Sequence, residues 1–418
     1  MIFSRQKGSD PMEARTLRTL HPTLVQEDLI SPEQQLRWIT RQLRELREAN
    51  AALAARVQQL EEAFAGHITP PAAPQLQTAP TVPSNAPAPR PSDRAPAPAP
   101  QPDGRPRPVL ARFDESCGVF GNHRLKREQV TAIVFLGTCS GAPAEAWDVS
   151  LWSDGSAWAW AEETDEGLTL CIAGEGGVSA NPDAAGLFSK SSSLTRIDFG
   201  GHFSTGQVCS MKSLLRLCLS LEDIDLSGFD TANVADMSDM FSDCISLTTL
   251  DLSGFQTRQV TNFRRMFIRC SGLKSLNLSA FDTAKATDMS WMFSDCGSLS
   301  TLDLSGFDTA RVTDMSGMFS GCGNLASLDL SHFNTSYVTD MRWMFADCGS
   351  LTVLDLSSFR TFRVTNMSKM FAQCHRLTSI ILSDFSGINA RDKSGMFANC
   401  HSLTASTRSC LRSKHLPV

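Results

Sequence analysis

From residue 187 onward the apolar and polar positions follow one fixed phrase. The stretch Asp236 to Phe255, DMSDMFSDCISLTTLDLSGF, returns with small changes down the C-terminal half. Cys218, Cys244, Cys270, Cys296, Cys322, Cys348, Cys374 and Cys400 are spaced by 26 residues each, with no insertion between them. A fixed period of this size predicts a solenoid, in which each repeat buries its apolar face only against its neighbours. In the copy that starts at Cys296, Leu299, Leu302 and Leu304 give L-x-x-L-x-L, which predicts a short strand with alternate side chains inward. Phe307 follows in a Ser-Gly-Phe-Asp-Thr turn, and then Val312. Thr313 and Asp314 cap Met315, Met318, Phe319 and Cys322, whose spacing of three and four predicts a short helix or 3-10 segment. Phe229, Phe255, Phe281, Phe307, Phe333, Phe359 and Phe385 recur in step and predict a buried column.

The pattern changes upstream. Residues 1–30 hold two weak apolar clusters broken by prolines and give no clear element. Residues 31–66 begin with Ser31-Pro32-Glu33-Gln34, a helix start with serine at the N-cap and proline at the first helical position. Leu36, Ile39, Leu43, Leu46, Asn50, Leu53, Val57 and Leu60 then alternate spacings of three and four without a slip, ending at Phe64. That heptad seam predicts a coiled coil, and Asn50 at an a position favours a parallel homodimer. Residues 67–109 are a Pro/Ala-rich linker, predicted to be disordered and extended, since 14 of the 20 prolines fall there. Residues 110–186 read as a β-rich cap, with strands at 129–136, 146–152, 155–161 and 168–172, and a bend at Gly174-Glu175-Gly176-Gly177. Trp147, Trp152, Trp158 and Trp160 are expected to cover the open end of the repeats, which occupy 187–410 ahead of a tail at 411–418. The fold class is therefore an α/β repeat.

Bulk properties narrow the function. A net charge of -6 argues against a nucleic-acid partner, which calls for a basic stripe. No apolar run reaches the length of about eighteen residues that a membrane span needs, and the first residues lack the apolar core of a signal peptide, which predicts a cytoplasmic location. Eight of the 13 cysteines form the 26-residue ladder, and they read as buried free thiols acting as small hydrophobes.

The phrase L-D-L-S-x-F-D-T-x-x-V-T-D-M-S-x-M-F-x-x-C-x-x-L, seen here from Leu302 to Leu325, resembles the BspA-like bacterial surface proteins with 26-residue leucine-rich repeats. The likeness covers roughly residues 187–405, and more weakly the segment ahead of them around WDVSLWSDGSAWAW. It implies a secreted or surface-anchored, adhesin-like binding protein without catalysis, which conflicts with the location read from the N-terminus.

Candidate sites lie on two columns. The outward strand position holds Asp225, Asp251, Asn277, Asp303, Asp329 and Asp355, with serines two residues on. This is a polar face, a groove for basic partners or a weak cation surface; it lacks the chelating loop of calcium sites, so no metal is assigned. The position before the Met-Phe pair varies from copy to copy, and Trp291 and Trp343 flank Gly317 there, predicting a gap for an apolar anchor. Gln259, Lys285, Arg311, Tyr337 and Arg363 make a mild basic edge. Catalytic motifs are missing, and Cys374-His375 and Cys400-His401 are expected to point cysteine in and histidine out. The sequence thus predicts a non-enzymatic, cofactor-free protein-binding surface for an unidentified protein ligand. Its alternatives are an intracellular scaffold or delivered effector using the same surface, and a glycan-active enzyme built on the tryptophans.

Overall fold

A computed structural model describes residues 106–112, 120–122 and 124–418, all within the compact unit Arg90–Val418. The heptad seam expected to form a coiled coil and nearly all of the Pro/Ala-rich segment lie outside the described residues.

The unit opens with small β elements. A 3-10 turn at Arg127–Gln129 leads into β1 (Val130–Leu136), followed by β2 (Trp147–Asp148), β3 (Ala157–Thr164) and β4 (Gly167–Gly174). β5 (Val178–Ser179), β6 (Arg196–Asp198) and β7 (Phe203–Ser204) come next. The five-stranded sheet runs β2-β3-β4-β1-β6, antiparallel from β2 to β4 and parallel from β4 through β1 to β6. Because β6 already belongs to the first copy of the repeat, the cap and the repeats share one sheet. Contacts of the cap reach back past its expected start, since Val109 bridges Ser179 and the Arg107 guanidinium donates to the Gly201 carbonyl.

The end of the repeats is covered by β1, and of the four tryptophans Trp147 alone packs against the main core. Phe135 on β1 lies 5.6 Å from Phe199 and 4.6 Å from Phe203, ring centre to ring centre. Trp160 faces a separate small cluster with Cys171 and Ala173, and Trp152 is 80% exposed. The Gly174–Gly177 bend follows the glycine pattern: Gly177 has φ +94°, and a Cβ there would stand 2.3 Å from the His202 carbonyl oxygen.

Beyond the cap, each copy is bridged to the next in parallel. The bridges run Asp183↔Ser210, Ser210↔Asp236, Asp236↔Asn262 and on, 26 residues at a time, to Asn366↔Asp392. The one odd step, Asp183 to Ser210, takes up the extra residue ahead of Cys218. Short strand pairs form at β8 (Thr249–Asp251) with β9 (Ser275–Asn277), and at β10 (Val353–Leu356) with β11 (Ser379–Leu382). The expected strand in every copy is thus a ladder in some and chain without strand pairing at Leu302 and Leu328.

The expected short helix is replaced by tight turns. Met240 N–H closes on the Met237 carbonyl at 3.3 Å and Cys244 N–H on Phe241 at 3.1 Å. The third residue of each turn, Asp239 and Asp243, has φ of 56° and 63°, the sign that a type II turn requires there. Alternate amides leave the turn row altogether: Met237, Asp239, Phe241 and Asp243 donate to the carbonyls of Asn262, Arg264, Met266 and Ile268 in the next copy. Consecutive turns and a helix both bring residues three and four apart to one side, so the apolar spacing alone does not separate them.

The core is a set of columns. Met237, Met240, Phe241, Cys244 and Leu247 and their counterparts through Leu377 are buried, while Lys393 and Phe397 in the last copy are part-buried. Phe241, Phe267, Phe293, Phe319, Phe345, Phe371 and Phe397 stack with centroids 5.2–5.9 Å apart and planes within 12°. The column expected from Phe229 to Phe385 is buried as well, with stacked pairs at 6.3 Å (Phe281–Phe307) and 6.5 Å (Phe333–Phe359).

At the C-terminal end, α1 (Ala405–Ser413) starts at Thr404, whose hydroxyl accepts from Thr407 N–H. Leu411 and Leu416 are buried, and Gly387 N–H donates to the Lys414 carbonyl. Residues 411–418, expected to be a tail, pack as part of the closing element.

Candidate binding surface

The thiol column is structural. All eight ladder cysteines are free and buried, and each Sγ donates to a carbonyl of the preceding copy at 2.8–3.3 Å: Cys218 to Phe188, Cys244 to Leu215, and the rest to phenylalanines from Phe241 to Phe371. Burial pushes the thiols of Cys218, Cys270 and Cys322 up to about 12, and holds those of Cys244, Cys296 and Cys348 well above the ordinary thiol value. A thiol held neutral this firmly is a poor nucleophile. His375 and His401 lie exposed beside Cys374 and Cys400, and the His375 ring reaches the Asn399 carbonyl at 3.1 Å instead of the sulfur.

Threonine supplies a second column, which the sequence reading passed over. Thr309 is buried; its hydroxyl donates to the Asn334 carbonyl at 3.1 Å and accepts from the Asn334 N–H at 2.8 Å. The same two-way contact recurs from Thr205 to Asp230, Thr231 to Gln256, Thr257 to Asp282, Thr283 to Asp308, Thr335 to Arg360 and Thr361 to Ser386. Its signal in the sequence is the Thr two residues after the column phenylalanine, present from Phe229 to Phe359 and replaced by Gly387 after Phe385.

The aspartate column is exposed along its whole length, at Asp225, Asp251, Asn277, Asp303, Asp329 and Asp355. Each Oδ1 accepts the N–H of the residue two positions on, from Ser227 to Ser357, at 2.9–3.1 Å. That bond to the charged form holds the carboxyls of Asp225, Asp251, Asp303 and Asp329 below the usual range. Asn277 keeps the turn and adds a donor, its Nδ2 lying 2.9 Å from Asp251 Oδ1. The result is a row of carboxylates, each fixed by a backbone N–H.

The tryptophan column belongs to the turn row. Trp291 and Trp343 occupy left-handed positions, with φ of 59° and 60°, and each leans on the next copy. A Cβ on Gly317 would stand 2.4 Å from the Trp291 ring, so the space expected between the two tryptophans already holds that ring. Lys369 Nζ sits 4.3 Å from the Trp343 ring centre, a cation–π contact. Asp239, at the head of this column, is half-buried, and desolvation raises its carboxyl against the pull of Arg265.

Tyr337 lies on the opposite, corner edge, 52% exposed, with the Arg363 guanidinium 4.7 Å above its ring. Among the described residues, no cluster of three or more His, Cys, Asp and Glu residues is placed to hold a metal, and no helix is long and apolar enough to cross a membrane. The dimer seam expected from Leu36 to Leu60 lies outside the described residues.

No curated protein matches this chain, and no solved structure does. A family model described as "Mycoplasma protein of unknown function, DUF285" matches twice, over residues 183–302 and 287–409. Together these matches span the 26-residue copies from the first bridge at Asp183 to the start of α1, more than half of the chain, and the protein therefore belongs to that DUF285 family.

Proposed function

We propose that this chain is a non-catalytic, adhesin-like protein-binding module, a leucine-rich-repeat solenoid of the BspA-like kind. Its acidic strand face receives a basic partner, and the coiled coil of residues 31–66 presents two such faces. The observation that carries this reading is the aspartate column: five exposed carboxylates at a step of roughly 5 Å per copy, interrupted once by Asn277, each fixed by a backbone N–H before any partner arrives. Such preorganisation lowers the ordering cost of binding, and the charge gives fast, salt-sensitive association.

The chain itself supplies the test substitution, since Asn277 holds its turn without charge. Asp251→Asn, Asp303→Asn, Asp329→Asn and Asp355→Asn together should leave the melting temperature of the full chain within a few degrees. They should also weaken binding of a lysine-rich probe peptide by about tenfold or more at low salt. Unchanged binding by the folded variant overturns the acidic-face reading. Pairing is tested separately by sedimentation of the full chain, expected to run as a dimer and to lose that state with Leu43→Pro, since proline breaks a helix interior. A monomeric unsubstituted chain at micromolar concentration rules pairing out.

A further inference from the structure

We propose that the corner edge centred on Arg363 is a second binding site, a docking strip for an acidic polypeptide segment that carries one aromatic or aliphatic anchor. Arg311, Tyr337 and Arg363 hold the same position in three consecutive copies, so they form an exposed row along the stack at roughly 5 Å per step. Arg363 is held in place by two rings, with its guanidinium carbon 4.7 Å from the centre of Tyr337 and 5.9 Å from that of Phe362. A guanidinium fixed in this way loses little freedom on taking a carboxylate.

The chain has not neutralised this row. It carries 44 acidic residues against 38 basic ones, yet no ion pair among the described residues uses Arg311 or Arg363. The acidic neighbour Asp308 is turned to the Ala310 N–H. In the next three copies its position holds Asn334, Arg360 and Ser386, so positive charge grows toward Arg363. Arg360 meets only Asp384, at 3.8 Å with both side chains largely in solvent, and such a pair competes weakly with a partner.

Apolar surface adjoins the charge. Phe362 is 56% and Ile388 66% exposed, in the column next to the arginines, and the backbone there is tied by Asn389 Nδ2 to the Phe362 carbonyl at 2.8 Å. A partner fitting both features has carboxylates for the guanidinium row and an apolar side chain for Phe362 and Ile388. An acidic peptide provides both; a sulfated glycan provides only the charge, and a nucleic acid brings phosphates rather than the planar carboxylates that match a guanidinium fork.

The site is independent of the aspartate face, and the test keeps the two apart. The probe is a labelled peptide of glutamates and aspartates around one central phenylalanine, read by fluorescence anisotropy with the full chain. Arg311→Gln with Arg363→Gln should weaken binding about tenfold and flatten its salt dependence. Phe362→Ser should weaken it several-fold even at high salt, because the lost contact is apolar. Arg196→Gln on β6 and the four Asp→Asn changes should leave it intact. All are exposed positions, and an unchanged melting temperature shows that each variant is folded. The proposal is overturned if the probe does not bind, if the double arginine variant binds as well as the unsubstituted chain, or if a heparin fragment or single-stranded oligonucleotide competes as strongly as the peptide.

Discussion

Between about pH 8 and about pH 10 the repeats are expected to lose most of their stability, because the thiol column binds protons more tightly folded than unfolded. A free thiol titrates near about 8.5, whereas burial pushes Cys218, Cys270 and Cys322 up to about 12 and raises Cys244, Cys296 and Cys348 well above the ordinary value. Below the unfolded value both states are protonated, and pH has no effect through these groups. Above it the unfolded chain releases protons that the folded chain keeps, so stability falls as pH rises toward the folded values. Each thiol contributes about 1.4 kcal/mol per pH unit in that window. Six of them reach on the order of 8 kcal/mol across one unit, comparable with the whole stability of an ordinary domain, about 5–15 kcal/mol. Urea midpoints under reducing conditions should drop steeply across this range, and Cys296→Ala should lessen the slope by about one proton. A flat profile would mean that the sulfurs are wet in solution.

The second large effect is expected from a single hydroxyl. Thr309→Val keeps the shape of the side chain but removes the donor and the acceptor that meet the Asn334 carbonyl and N–H at 3.1 and 2.8 Å. Stranding two backbone groups beside the buried Thr309 costs up to about 1–3 kcal/mol each, and because the contact is only part-buried a loss of roughly 1–3 kcal/mol is expected by chemical denaturation. Thr309→Ser, which retains the hydroxyl, should cost less than about 1 kcal/mol. If Val and Ser behave alike, the threonine column acts by packing alone.

The period and the core were the most legible features of the sequence, because inward positions such as Met315, Met318, Phe319, Cys322 and Leu325 tolerate little change in a closely packed stack. Leu302 shows the limit of that legibility, since the same L-x-x-L-x-L spelling is a paired strand in some copies and unpaired chain in others. The turn row was misread as helical because the spacing from Met237 to Cys244 suits both, and the deciding quantity, a positive φ at Asp239 and Asp243, has no spelling when aspartate, arginine, tryptophan and lysine all occupy that position. The aspartate column was visible as a pattern, but its fixed turns were not, and the tryptophan gap failed because the reach of Trp291 over Gly317 depends on side-chain direction. The Arg363 edge was read as mild charge, because Tyr337 and Phe362 approach it from different copies and columns.

The turn row also has a direction. Its alternate amides all donate toward the C-terminal side, from Ala184, Gly186, Phe188 and Lys190 onto Ser210, Lys212, Leu214 and Arg216, and so on through Gln373 onto Ala398. Arg127 sits at the acceptor end, its Nη1 2.9 Å from the Leu187 carbonyl and 3.1 Å from that of Ser189. Every internal copy therefore offers the same donors downstream and the same acceptors upstream, and only the two ends need residues of their own. A lineage could lengthen or shorten this protein by whole 26-residue units, through unequal crossing-over within the repeats, with each new junction bonded like the old ones. The cap and α1 would then be the parts least free to change.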